Sequence, residues 1–280
     1  MSSPQKTPVI SEWLAGAIKE LIEAKIGTAR LDAEIILAHT LRKPRTYLHA
    51  HPDEPLETRS LEIADARLSL RKDRTPIAYI TGHKDFYGRR FKVTPATLIP
   101  RPESETIISL LLELAPPVLK TTKNLRLVDV GTGSGALGIT AKLEIPELEV
   151  TLIDTSRHAL HVVSINADKH AADVTLLRSD LLSSYPFTAS IIIANLPYVD
   201  PEWDRSPETD YEPAEALFAK DNGLHLINKL FKQLPERLAS SGLLLLEADP
   251  RQHHIILQTA SKQGFDHIKT DGLIIALQKK

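Results

Sequence analysis

The sequence predicts an α/β chain in which a Rossmann-like, mostly parallel sheet domain follows a small helical bundle. Three observations carry that expectation. The first third places its apolar residues at helical spacing. From residue 125, short apolar runs alternate with amphipathic segments, as buried parallel strands alternate with their crossover helices. Between the two lies a stretch rich in aromatic, β-branched, glycine and proline residues. A length of 280 residues suits two domains.

In the first third, Trp13, Leu14, Ala17, Ile18, Leu21 and Ile22 form one helical stripe, with Ser11 placed to cap it. Leu31, Ile35, Ile36, Ala38 and Leu41 form a second apolar face, and Leu61, Ala64, Leu68 and Leu70 a third. His51-Pro52-Asp53-Glu54-Pro55 breaks the chain between them. In Phe86-Tyr87-Gly88-Arg89-Arg90-Phe91, aromatic residues flank a glycine, which predicts a hairpin. Ile99-Pro100-Arg101-Pro102 is rigid and extended, because each proline restricts the residue before it. The expected domains are therefore a helical domain over 1–75, a hairpin linker over 76–100 and a sheet domain over 101–280.

A helix is expected over 103–114. Strands are expected at Leu125–Val130, Val150–Ile153, Val174–Leu177, Ser190–Ala194 and Leu243–Glu247, with two more near 265–269 and 272–278. Helices are expected between them at 136–143, 156–171, 222–239 and 251–263.

Composition excludes several classes. Hydrophobic residues make up 42% and charged residues 25%, which is ordinary for a folded chain. There is no cysteine, so disulfides, cysteine nucleophiles and thiolate metal sites are excluded. The 11 histidines are scattered, and no metal constellation is evident. No run approaches the roughly 18 apolar residues of a membrane span. Met1-Ser2-Ser3-Pro4-Gln5-Lys6 lacks the pattern of a signal peptide. A cytoplasmic monomer without membrane contact is the expectation. Residues 1–92 carry 16 Lys+Arg against 12 Asp+Glu, and the remainder 18 against 24. The sheet domain is thus net acidic, which argues against direct nucleic-acid contact.

The strand at Leu125–Val130 runs into Gly131-Thr132-Gly133-Ser134-Gly135, preceded by Asp129. Glycines there let the backbone turn tightly and approach a ligand at the carboxyl end of the strand. Asp154 ends the second strand and can accept hydrogen bonds from ribose hydroxyls; Asp180 follows the third, near where an adenine edge would lie. Gly133, Gly135 and Gly138 also satisfy a dinucleotide fingerprint, with Asp154 about 20 residues on, so a nicotinamide dehydrogenase competes on this motif alone.

Asn195-Leu196-Pro197-Tyr198 follows the fourth strand. This turn can solve a problem of geometry. An amide nitrogen is a poor nucleophile because its lone pair is delocalised, so it must be held and aimed. The Asn195 side-chain oxygen and the Leu196 carbonyl form an acceptor pair for an NH2 group. Pro197 stiffens the turn and adds no competing N–H. Tyr198 can pack against a flat amide.

At this point the sequence resembles the HemK/PrmC family, the protein-(glutamine-N5) methyltransferases acting on peptide-chain release factors. The resemblance rests on Asp32–Ala38, His51–Leu56, Pro76–Gly82, Phe86-Tyr87-Gly88, the run Thr94–Glu105, Asn195–Tyr198, Tyr211-Glu212-Pro213 and Asp221-Asn222-Gly223-Leu224, in that order along one chain. It implies a seven-stranded class I methyltransferase domain that uses S-adenosyl-L-methionine, and a helical domain that recognises the release factor. Gly131, Thr132, Gly133, Ser134, Gly135, Asp154, Asp180, Leu181 and Asn195 would contact the cofactor. Asn195, Leu196, Pro197 and Tyr198 would hold the glutamine of a Gly-Gly-Gln loop, with Asn195, Pro197 and Tyr198 acting in catalysis. Arg101 and Glu103–Glu105 would line the pocket, unless Arg101 and Glu105 form an ion pair at a helix start. Leu196 stands where the family has proline. The turn is also similar to that of adenine-N6 methyltransferases, which leaves RNA or DNA adenine as the alternative target. A catalytically silent binding module is a further alternative.

Overall fold

The computed structural model describes residues 7–121 and 125–280; Met1–Lys6, on which the signal-peptide expectation rests, lie outside them. The chain forms two compact units. One comprises the chain up to Gly82 with Ser206–Tyr211, the other His83–Arg205 with Glu212–Lys280.

The first unit is helical: α1 (Ile10–Glu23), α2 (Ala29–Leu41), α3 (Arg45–Ala50), α4 (Thr58–Lys72) and α5 (Ile77–Thr81). Trp13, Ala17, Leu21, Ile36, Ala64 and Leu68 pack in its core as their spacing predicts. Ser11 does not cap α1. The helix starts at Ile10, which is fully buried, and Glu12 Oε2 accepts from the Val9 N–H at 3.1 Å. Ile22, Leu31 and Leu70 are exposed rather than part of the apolar faces. For Leu31 the reason is that α2 packs against α1, α3 and α4 together. Its buried surface therefore spreads around the helix to Asp32, Ala33, Glu34 and Leu37.

Two buried acids are accommodated by pairing. Asp32 Oδ2 accepts from Arg71 Nε at 2.7 Å and Thr28 Oγ1 at 2.8 Å. Glu34 Oε2 accepts from Arg45 Nε at 3.1 Å. Arg71 and Arg74 also reach Glu208 Oε1 at 3.1 and 3.2 Å, and the Tyr211 hydroxyl donates to the Asp73 carbonyl. These bonds make Ser206–Tyr211 part of the helical unit. Burial alone would raise the Glu208 carboxyl, but donors from Ser206, its own N–H, Arg74 and Arg71 bring it down to about 2.

The second unit opens on a hairpin of β1 (His83–Phe86) and β2 (Arg89–Lys92). Tyr87 and Gly88 both have positive φ, 49° and 70°, as a two-residue turn between twisted strands requires. Phe86 and Phe91 sit edge to face in the sheet core, so the hairpin belongs with the sheet while α5 belongs with the helices. The segment 76–100 is thus divided rather than a separate linker.

There follow α6 (Glu105–Thr121), β3 (Arg126–Val130), α7 (Ala136–Glu144), β4 (Glu149–Asp154), α8 (Arg157–His170), β5 (Val174–Arg178), β6 (Ala189–Ala194), α9 (Ala214–Leu217), α10 (His225–Arg237), β7 (Leu238–Glu247), α11 (Pro250–Lys262), β8 (Phe265–Asp271) and β9 (Ile274–Lys279). Helix α6 runs past Leu114 through Pro116 and Pro117, because Ala115 and Val118 still bury against the sheet. Among the described residues the sheet has seven strands in the order β5-β4-β3-β6-β7-β9-β8. Strands β3 to β7 are parallel, and β9 is antiparallel to both its neighbours.

Strand residues alternate between two cores. Leu127, Ile191, Ile193, Leu243 and Leu245 face α6, α7 and α8, while Val128, Val130, Ile192, Leu244 and Leu246 face α10 and α11. The strand order reverses between β3 and β6, so the loops after β3 and β6 part and leave a crevice at their carboxyl ends.

Replacing Asp32 by Ala would leave the buried Arg71 guanidinium with Glu208 as its remaining acidic partner. We expect a loss of about 3–5 kcal/mol in the unfolding of the helical unit, read from urea denaturation. The exposed control Asp53→Ala should shift by less than about 0.5 kcal/mol.

Candidate active site

The crevice holds two cavities, of about 180 and 50 Å³, and Leu98, Gly131, Gly133 and Asn195 border both. Ile153, Asp154, Asp180, Leu181, Leu196 and Pro197 line the larger. Ser104, Thr132 and Ser134 line the smaller. Gly135 lines neither. It begins α7 with φ 82°, and a Cβ there would press on Ile139 and Val163. Arg101 and Tyr198 also lie outside both linings.

Two carboxylates shape the glycine loop. Asp129 Oδ2 accepts from Thr132 Oγ1 at 2.6 Å and from the Gly138 N–H at 2.9 Å. A Cβ at Gly138 would overlap Leu152 and crowd Asp129, so only glycine lets α7 come this close. Burial raises the Asp129 carboxyl to about 6, against the pull of those two donors, and the Asp154 charge adds to the rise. Asp154 Oδ2 accepts from the Gly133 N–H at 3.0 Å and Oδ1 from the Ser156 N–H at 2.9 Å. With the Thr155 N–H as a third donor, the carboxylate keeps one lone pair for a ligand. Burial raises Asp154 as well, opposed by the Ser156, Gly133 and Thr155 N–H groups.

Asp180 is exposed, and its carboxylate takes a hydrogen bond from Lys229 Nζ. Leu181 beside it is buried with φ 51°. The Asn166 carboxamide, itself fully buried, ties the loop to the hairpin: Oδ1 accepts from the Lys92 N–H at 2.7 Å, and Nδ2 donates to the carbonyls of Lys92 and Ser134 at 3.0 and 2.8 Å.

The turn after β6 is gripped from three sides. Leu196 is 2% exposed, and its Cδ2 lies 3.1 Å from where a Cβ on Gly131 would stand. Its side chain belongs to the core, although the residue lines the larger cavity. Asn195 Nδ2 donates to Ser104 Oγ at 3.1 Å, Ser104 Oγ donates to Glu247 Oε2 at 2.6 Å, and the Tyr198 hydroxyl donates to Glu247 Oε1 at 3.1 Å. Burial, then the charge and hydrogen bond of Glu247, raise the Tyr198 phenol well above its ordinary value. Gln252 Nε2 donates to the carbonyls of Tyr198 and Asn222 at 2.8 and 2.7 Å, and a Cβ on Gly223 would overlap that Tyr198 oxygen.

Arg101 and Glu105 do not pair with each other. Arg101 Nη2 reaches Glu212 Oε1 at 2.5 Å, and Glu212 Oε2 accepts from the Ile99 N–H at 3.0 Å. Glu105 Oε1 accepts from the Tyr87 N–H at 2.8 Å. Sequence reasoning gave Glu247, Gln252 and Glu212 no role. The signal for Glu247 was a charged residue closing the run Leu243–Leu246; for Glu212 it was the motif Tyr211-Glu212-Pro213.

The PrmC N-terminal domain family matches residues 12–82, and the methyltransferase small domain family matches residues 109–268. The release factor glutamine methyltransferase of Koribacter versatilis is 38% identical over 84% of this chain and 86% of its own length. That of Escherichia coli K12 is 32% identical over 92% of each. Among solved structures, the Thermus thermophilus 16S rRNA N2 G1207 methyltransferase in complex with AdoMet and guanosine shares the fold, with a TM-score of 0.51, 16% identity and coverage of 71% of this chain and 50% of that one.

Folding raises the Asp129 carboxyl from 3.8 to about 6. The folded state therefore holds this proton more tightly than the unfolded chain. The stabilisation is complete below about pH 4 and lost as pH rises through about 6. About two units correspond to roughly 3 kcal/mol. Between pH 4 and pH 7 the stability of Asp129→Asn relative to the parent should rise by about that amount in urea titrations; a constant difference would contradict the shift.

Proposed function

This chain belongs to the family of release factor glutamine methyltransferases, and from that premise we propose which of its residues move the methyl group. The reaction transfers a methyl from S-adenosyl-L-methionine to the side-chain amide nitrogen of the glutamine in the GGQ motif of a release factor. The donor supplies a methyl carbon made electrophilic by a positively charged sulfur.

The crevice fits a nucleoside donor. Gly133 has φ 57° and no protein atom within 4 Å of where a Cβ would stand, so backbone meets the ligand there. The remaining lone pair of Asp154 suits a ribose hydroxyl. Leu181, Ile153 and Leu226 give the larger cavity apolar walls for a flat ring, and Asp180 is placed for its edge. Gly131, Thr132, Gly133 and Ser134 border the smaller cavity, suited to the donor's amino-acid end.

One observation carries the assignment of the target. Asn195 commits its NH2 to Ser104, and among the described residues none donates to its Oδ1. That oxygen and the Leu196 carbonyl can then accept the two hydrogens of a substrate carboxamide. Two acceptors hold the group planar to them and turn the nitrogen toward the methyl. The substitution needs near-linear approach, so this positioning supplies much of the rate. No strong base is required beforehand, because the nitrogen becomes acidic as its bond to carbon forms. Pro197 brings no N–H that would occupy the acceptors. Tyr198 offers a ring face to the flat amide, with its hydroxyl bound to Glu247. Arg101, held by Glu212, shapes the approach through Thr94–Glu105. An adenine amine presents similar donors, but the relatives of this family favour glutamine.

The helical unit is read as the part that recognises the release factor, with the match of residues 12–82 to the PrmC N-terminal domain family as support. Among the described residues no helix is long and apolar enough to cross a membrane. The reading places the reaction in the cytoplasm, on a monomer, with no direct nucleic-acid contact.

Asn195→Ala should lower kcat for methyl transfer to a release factor by at least about 100-fold. Calorimetry should find its donor affinity within about twofold of the parent, and unchanged turnover would remove the assignment. Asp154→Ala should weaken donor binding by about 1.5–3 kcal/mol, or roughly ten- to a hundredfold. Equal affinity would show that this carboxylate serves only the loop.

A further inference from the structure

The chain Glu247–Ser104–Asn195 has a direction, and the direction matters. A serine hydroxyl has one proton to give. The Ser104 hydroxyl is 2.6 Å from Glu247 Oε2, the length of a charge-assisted O–H···O bond, and both residues are almost fully buried. The proton therefore points at Glu247, and Ser104 presents a lone pair to Asn195. Only the NH2 of Asn195 can meet a lone pair. The other end of the carboxamide, Oδ1, is thereby turned away from Ser104. The second oxygen of Glu247 takes the Tyr198 proton at 3.1 Å, which fixes the phenol ring.

We propose that Glu247, acting through Ser104, is a positioning residue that sets which way the Asn195 carboxamide faces and anchors Tyr198, so that one buried carboxylate makes the site read an amide rather than a carboxylate. The inference rests on the reading that Asn195 accepts from the substrate amide. If Asn195 were free to flip, it would present NH2 to the site half the time. That group would repel a glutamine amide and welcome a glutamate. With the flip suppressed, the acceptors demand two hydrogens from the substrate, and a glutamate side chain has none to give.

The test uses Ser104→Ala, Glu247→Gln and the double variant in the full-length protein, with S-adenosyl-L-methionine and a release factor as substrates. Ser104→Ala should lower kcat by about tenfold or more while KM and donor affinity by calorimetry stay within about twofold. Glu247→Gln should lower kcat at least as far. Because the two act in series, the double variant should be no slower than Glu247→Gln alone, whereas two independent packing defects would multiply. A release factor carrying glutamate in place of the target glutamine should inhibit Ser104→Ala more strongly than the parent. If Ser104→Ala and Glu247→Gln keep the parental kcat while Asn195→Ala loses it, the proposal is overturned and the role of Asn195 stands. If Asn195→Ala itself keeps full transfer, both fall.

Discussion

The loop between β3 and α7 depends on a carboxylate that water does not reach. Asp129 gathers the Thr132 hydroxyl and the Gly138 N–H onto one oxygen, and so closes the glycine turn back on the strand from which it came. Removing a charge from water is unfavourable, and the raised Asp129 carboxyl records that cost. What the cost secures is a rigid turn. With the loop fixed, the Gly133 N–H lies against Asp154, α7 rests on Leu152, and Gly131 leaves room for Leu196. The two cavities and the turn after β6 are thus assembled on the same few backbone atoms.

The second feature of the site is how far its supports are drawn along the chain. Ser104 and Glu247 are separated by 143 positions, and Ile99 and Glu212 by 113. The sheet makes these meetings possible, because β3, β4, β6 and β7 are parallel and end at one edge. Leu196 shows the economy of the arrangement. Its side chain is buried beside Gly131, while the residue still lines the crevice. A proline at this position would stiffen the turn through its ring; leucine holds it by packing instead.

Much of this architecture was legible in the sequence, for reasons that are local. Runs such as Ile191–Ala194 and Leu243–Leu246 read as buried strands because both faces of the sheet are covered, and the glycine turn announced itself through spacing. Helix faces in the bundle were less legible. Leu31 and Leu70 fit an apolar stripe, yet they are exposed, since a helix packed by several neighbours has no single stripe. The end of α6 was missed because proline counts against a helix locally, whereas Ala115 and Val118 are decided by the sheet. Within the site, Asp154 and Asn195 stood out because they end strands. Glu247 ended one too, but its partners Ser104 and Tyr198 could be known only once distant segments had been brought together.

Ser206–Tyr211 comes from the second half of the sequence but completes the helical unit, where Arg71 and Arg74 take Glu208 as their acid. This has a bearing on protein engineering. A chimera that grafts the first 82 residues of a relative onto this chain would pair foreign arginines with a native glutamate, or with none. Modules whose border lies at two places in the chain are exchanged cleanly only when both pieces travel together.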